Sequence, residues 1–155
     1  MLIEENIAKT LINTEKTLAI GESCTGGLLA NRLTNIPGSS GFLKFSVVAY
    51  SNEAKSRFLK VAPRMISRHG AVSSPVAAAM AQGARKVFNT DFGIGITGIA
   101  GPTGGTPSKP IGLTFIAVCT SLETLCLECH FKGTRNKIKT QAANQALQLL
   151  KEFLA

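Results

Sequence analysis

The stretch TLAIGESCTGGLLANRL, residues 17–33, decides the fold. Thr17 to Ile20 reads as a short apolar strand, and Gly21 to Gly27 as a turn of small residues. Leu28 to Leu33 continues as a helix that ends before Pro37-Gly38. The same grammar extends outward. Residues 2–14 show helical spacing at Leu2, Ile3, Ile7 and Leu11, with Glu4 and Glu5 in the first turn. Phe45 to Tyr50 is a second strand, and Ser51-Asn52 can cap a helix over about 53–60. Pro75 opens another helix, with Val76, Ala79, Met80, Gly83 and Val87 along one side. Phe92 to Ile96 is a third strand. Gly112 to Cys119 and Thr124 to Phe131 are two more, joined by a turn short enough to make them antiparallel neighbours. The last helix covers about 135–154 and buries Ile138, Ala142, Leu149 and Phe153. Alternating helices and strands predict a mixed sheet covered by helices on both faces.

The bulk numbers bound the function. A chain of 155 residues that is 45% hydrophobic suits one packed domain and excludes a disordered chain. Seventeen basic and nine acidic residues give a net charge of +8, which favours anionic partners such as phosphorylated metabolites or else a solubilising surface. Aromatics are 6% and no long basic run occurs, so a base-stacking nucleic-acid surface is disfavoured. The N-terminus lacks the basic and apolar regions of a secretory signal, and no apolar run reaches the roughly 18 residues of a membrane span. The expectation is a cytoplasmic protein with free thiols at Cys24, Cys119, Cys126 and Cys129. Cys126-Leu-Glu-Cys-His130 fits a haem-attachment pattern, but the segment reads as a strand and one cysteine pair leaves a tetrahedral metal site incomplete.

Gly93-Ile-Gly-Ile-Thr-Gly98 matches G-x-G-x-x-G without opening a helix, so a dinucleotide fingerprint is rejected and the strand glycines are assigned to close packing. Four segments remain that could carry chemistry. Ser23 lies between a strand and a helix, near free helix N–H groups that could hold an anion or a developing oxyanion. Its setting departs from G-x-S-x-G at Thr25, and a turn or cap serine is the plain alternative. Cys24 is a rival nucleophile with no evident base. His69 and His130 are the only histidines, and neither is paired with a carboxylate by the sequence, so lysine is the next choice of base. Lys55 follows Tyr50-Ser-Asn-Glu-Ala54 in the first turn of a helix, where the positive dipole end should lower its pKa; a solvated lysine is the alternative. Tyr50 is the only tyrosine and stands either at the reacting centre or at the sheet edge. Residues 97–106 form a small-residue loop in which Thr97 can hydrogen-bond and Gly98 can let a ligand approach the backbone. Arg135, opening the last helix, suits bidentate phosphate binding or plain solvation.

Together these segments resemble the competence-damage-inducible (CinA) C-terminal domain family, which contains the nicotinamide mononucleotide deamidases. The resemblance is carried by GESCTGG at 21–27, LTNIPGSS at 33–40, YSNEAK at 50–55, GAVS at 70–73, ITGIAGPTGGT at 96–106, KPIGLTFIA at 109–117 and FKGTR at 131–135. It implies an α/β fold, a three-layer α/β/α sandwich with a mixed, mostly parallel sheet, and one amidohydrolase domain over 1–155. It implies hydrolysis of nicotinamide mononucleotide to nicotinate mononucleotide and ammonia, with no metal or other cofactor, no membrane, and a homo-oligomer of two or more copies. On this resemblance Ser23 is the nucleophile, Lys55 the base and Tyr50 their support. Thr97, Arg135, Gly26 and Gly98 are the substrate-binding positions. A non-catalytic nucleotide-binding or regulatory protein of the same fold is the alternative. Two departures stand out. Ser46 replaces an expected glycine, which should alter packing beneath Tyr50. Longer family members carry an N-terminal domain with pyrophosphatase activity, and 155 residues are too few for it, so that activity is expected to be absent.

Overall fold

The computed structural model describes residues 1–155. Five strands form one sheet in the order β2-β1-β3-β4-β5: β1 (Leu18–Glu22), β2 (Leu43–Val48), β3 (Phe92–Gly98), β4 (Leu113–Cys119) and β5 (Thr124–His130). β1 pairs parallel with both β2 and β3, whereas β4 runs antiparallel to β3 and to β5. Four strands therefore share one direction and β4 alone opposes them, which is the mixed, mostly parallel sheet the sequence implied.

Strand alternation divides the core in two. Leu18 and Ile20 of β1, Ile94 and Ile96 of β3, and Ile116 and Val118 of β4 face α1 (Ile3–Asn13), α2 (Leu28–Thr34) and α6 (Arg135–Leu154). The intervening Ala19, Ala117 and Cys119 face the other layer, made of α3 (Asn52–Leu59), α4 (Pro63–His69) and α5 (Ser74–Val87). That second layer is drawn in tightly. A Cβ on Gly95 would stand 2.3 Å from the Ala77 carbonyl oxygen, and one on Gly93 would stand 2.2 Å from that of Ala81. The β3 glycines thus let the α5 backbone rest on the sheet, which is the packing role assigned to them above. Gly83 plays the same part between α5 and α3, where a Cβ would lie 1.7 Å from the Leu59 carbonyl oxygen.

Several boundaries shift by one or two residues from the sequence reading. β2 starts earlier and ends at Val48, so Tyr50 lies beyond the strand rather than closing it. Ser46 points outward from this edge strand and is exposed, so its hydroxyl meets solvent and the packing change expected beneath Tyr50 does not arise. Cys126 and Cys129, an odd number of residues apart on β5, point to opposite faces of the sheet. They cannot converge on one ion or one haem.

The connection leaving β1 runs to α2 on one face, and that leaving β2 runs to α3 on the other. Diverging connections open a crevice outside the carboxyl ends of adjacent parallel strands, which is where α/β sheets place ligands. Ser23 and Lys55 stand on the two lips of this crevice.

Gly83→Ala tests the close packing. Helix propensity alone would stabilise the variant by about 1 kcal/mol. The collision with the Leu59 backbone should instead destabilise it by about 1–3 kcal/mol or more, read by urea unfolding. A variant as stable as the parent would refute the constraint.

Candidate active site

Lys55 Nζ lies 3.1 Å from Ser23 Oγ and 3.0 Å from the Ala49 carbonyl oxygen. The local chain explains the placement. Ser51 caps α3 by accepting from the Ala54 N–H at 3.0 Å, and this turn carries Lys55 back over the end of β2. Lys55 is 3% exposed and Ser23 8%. Burial holds the Lys55 amine below its ordinary pKa, with Cys24 acting weakly in the opposite direction. The direction matches the sequence argument, but desolvation is its leading cause rather than the helix dipole. Lys55 Nζ donates to both the Ser23 hydroxyl oxygen and the Ala49 carbonyl; on losing a proton the amine would keep the second bond and accept from the Ser23 hydroxyl in place of the first. Cys24 is no rival: burial pushes its thiol up to about 12, so it stays protonated and unreactive at neutral pH.

The pair borders a cavity of about 310 Å³ that also touches Tyr50, Thr97, Gly98 and Arg135. This is the lower end of the size range for small-molecule pockets. Thr97 Oγ1 donates to the Ala71 carbonyl at 2.9 Å, so its hydroxyl offers lone pairs rather than a proton to the cavity. The Arg135 guanidinium spans the mouth, donating from Nη1 to the Gly101 carbonyl and from Nη2 to Tyr50 Oη at 2.8 Å. Three of its five N–H groups remain free for an anion. Gly98 lines the cavity, yet its lack of a side chain answers to its neighbours: a Cβ would stand 2.7 Å from Thr114 Oγ1 and 3.1 Å from Cys24 Sγ. Gly26 does not line the cavity, and its N–H donates to the Ser23 carbonyl at 3.0 Å.

Two residues of this region were not singled out from the sequence. Glu22 is fully buried; its carboxylate accepts from Thr25 Oγ1 at 2.6 Å, the Leu29 N–H at 3.1 Å and the Ala30 N–H at 3.0 Å. It therefore caps α2 from the preceding strand. This corrects the expectation that the α2 N-terminus is free to hold an anion: its donors are already occupied. It also relieves Ser23 of any capping duty, leaving that hydroxyl to Lys55. The signal was present in a lone carboxylate ending an apolar strand just before a helix. Lys139 is the second. Its Nζ lies 3.5 Å from where a Gly26 Cβ would stand, and it shares a face of α6 with Arg135, four residues earlier. Neither histidine enters the site. His130 does meet a carboxylate, Glu128 at 3.6 Å, but on the exposed surface of edge strand β5.

A buried serine–lysine pair at the carboxyl end of a parallel sheet core, roofed by a glycine-rich loop, marks a small three-layer α/β protein with a polar pocket. The chain belongs to the CinA C-terminal domain family, whose model matches residues 2–154. It is 49% identical over 154 residues to a CinA-like protein of Syntrophus aciditrophicus, covering 99% of this chain and 37% of that protein. Against a CinA-like protein of Gemmatimonas aurantiaca it is 52% identical over 139 residues, covering 90% of this chain and 32% of the relative. The chain thus spans about a third of the length of these relatives. Among solved structures, the competence/damage inducible protein CihA of Agrobacterium tumefaciens superposes with a TM-score of 0.91 at 34% identity, covering 98% and 96% of the two chains. A CinA superfamily protein of Escherichia coli superposes with a TM-score of 0.93 at 32% identity, covering 97% and 88%. The fold and family inferred from the motifs are therefore established.

Glu22→Gln replaces one acceptor oxygen with an amide that faces helix donors. The expected loss is about 1–3 kcal/mol of stability, measured by denaturant unfolding. Unchanged stability would mean that the carboxylate does not hold the start of α2.

Proposed function

We propose that this chain is an amidohydrolase that converts nicotinamide mononucleotide and water to nicotinate mononucleotide and ammonia. The observation that carries the reading is the 3.1 Å contact between Ser23 Oγ and a buried Lys55 amine of lowered pKa, set in a cavity. The motif resemblance supports a pyridine nucleotide as the source of that amide. The reading takes residues 1–155 as one domain, since the cavity draws its lining from Ser23 through Arg135.

In this mechanism neutral Lys55 takes the Ser23 hydroxyl proton as Oγ attacks the carboxamide carbon. The Cys24 N–H donates to no backbone carbonyl and its residue lines the cavity, so it is assigned as a donor to the tetrahedral oxyanion. The Lys55 ammonium returns its proton to the departing amine, ammonia leaves, and an acyl-Ser23 ester remains. Lys55 then deprotonates a water, which attacks the ester, and the same proton restores the Ser23 hydroxyl. The free N–H groups of Arg135 bind the 5′-phosphate, and this remote contact orients the amide at Ser23. No step draws on a metal or a further cofactor.

Two experiments test the reading. Ammonia release from nicotinamide mononucleotide should fall by about 10²–10⁴ in Lys55→Ala, and at least as far in Ser23→Ala, with circular dichroism unchanged. Release at the parental rate by either variant would sink the assignment, and no release by the parent would leave a non-catalytic nucleotide-binding protein as the better account. The pH profile carries a sign. Lys55 acts only when unprotonated and its pKa is depressed, so kcat/KM should rise with pH along a limb centred below the ordinary lysine value of about 10.4. A limb at the ordinary value, or one that descends, would exclude Lys55 as the base.

A further inference from the structure

The cavity has two walls from distant parts of the chain. One is the segment after α4, contributing Ala71 and Val72; the other is the loop after β3, contributing Ile99 to Gly101 and Thr103 to Gly104. Lys109 joins them. It leaves the far end of the second loop, where Thr106 N–H donates to the Lys109 carbonyl at 2.8 Å and Lys109 N–H donates to Thr106 Oγ1 at 3.0 Å. This closed turn fixes its backbone. Its ammonium then crosses to the first segment and donates to the carbonyls of His69 at 2.6 Å and Val72 at 2.8 Å. The His69 carbonyl belongs to the last turn of α4, the negative end of that helix, where a cation is favoured.

The first segment is shaped around this ammonium. Gly70 adopts φ +81, a conformation that side-chain-bearing residues rarely take, and a Cβ there would lie 2.5 Å from Lys109 Nζ. The residues on either side of the contact are held as well. Thr97 Oγ1 donates to the Ala71 carbonyl, and Ser73 Oγ donates to the Gly70 carbonyl at 2.8 Å. Lys109 is the one charged side chain that ties this segment to the loop opposite, and it does not line the cavity.

We propose that Lys109 is a positioning residue that clamps the two walls of the cavity and so sets affinity for the substrate without entering the chemistry. The inference rests on the cavity being the substrate site. Charge-assisted bonds to carbonyls hold the walls at one spacing; without them the walls sample wider arrangements and only a fraction of molecules is competent to bind. Apparent affinity falls by that fraction, whereas a bound substrate still meets an intact Ser23–Lys55 pair.

Lys109→Met keeps the length of the side chain and removes the ammonium. With nicotinamide mononucleotide, KM should rise about tenfold while kcat stays within twofold, corresponding to one molecule in ten with its walls in place. Hydrogen exchange should quicken at 70–73 and 99–105 only. A KM within twofold of the parent overturns the clamp. So does a fall in kcat accompanied by faster exchange throughout the chain, since that marks a general structural role. If the parent itself releases no ammonia, the functional reading fails separately, and the exchange pattern alone decides whether Lys109 holds the walls.

Discussion

An amine buried to 3% exposure, with one backbone carbonyl and one serine hydroxyl for company, is the constraint from which the rest of this site follows. No carboxylate neutralises it, so burial works against its charge and holds its pKa below the ordinary lysine value. Linkage makes this a stability matter. With its pKa lower in the folded state than in the unfolded chain, Lys55 withholds stability at pH values below the folded pKa. That stability returns as pH rises toward the unfolded value. The fold tolerates this because α3 is capped by Ser51 and anchored by Leu59, so the turn that carries Lys55 does not depend on the amine. An apolar side chain at this position would pack more favourably, which is the usual tension between stability and a reactive site.

The second half of the arrangement is the freeing of Ser23. A serine just ahead of a helix is ordinarily drawn into capping it. Here the preceding residue takes that work: Glu22 satisfies the Leu29 and Ala30 N–H groups and the Thr25 hydroxyl, and Gly27 enters the helix in a left-handed conformation with no side chain to offer. The carboxylate also fills the N-terminal end of α2, so a further anion finds no free donor there. Arg135, which lines the cavity, and Lys139, on the same face of α6, stand on the α6 side of it. One buried carboxylate thereby occupies the helix donors and leaves the Ser23 hydroxyl to Lys55.

The order of elements was legible in the sequence because each carries its own local signal: isoleucines alternating with glycines for β3, a continuous apolar run for β4, proline at the start of α5, a serine cap on α3. The G-x-G-x-x-G match was correctly rejected on the same grounds, and the Gly93 and Gly95 contacts with α5 supply the reason those positions carry no side chain. The site was legible mainly through resemblance. Residue types and spacing left Ser23 and Lys55 as an unweighted pair 32 positions apart, because what joins them is the divergence of two crossover connections, a property of topology. Glu22 escaped notice for a related reason. A carboxylate at the end of an apolar strand looks solvent-facing until the helix that begins at Leu28 folds back over it.

Lys109 belongs to the same class of long-range effect, and it shows how the pocket is partitioned. The serine–lysine pair sits on rigid elements, with Ser23 directly after a central strand and Lys55 in a capped helix. Much of the remaining cavity lining comes from loops, which side chains from elsewhere hold. Arg135 ties the β3 loop to Tyr50, Thr97 ties β3 to Ala71, and Lys109 ties that same loop to the end of α4. The loop residues 98–110 include four glycines and three prolines and have little apolar surface to bury, so these polar ties stand in for a core. On the proposed reading such a pocket separates its functions: substitutions in the ties would change how tightly a ligand is held, whereas substitutions at the strand and helix ends would change what happens to it once bound.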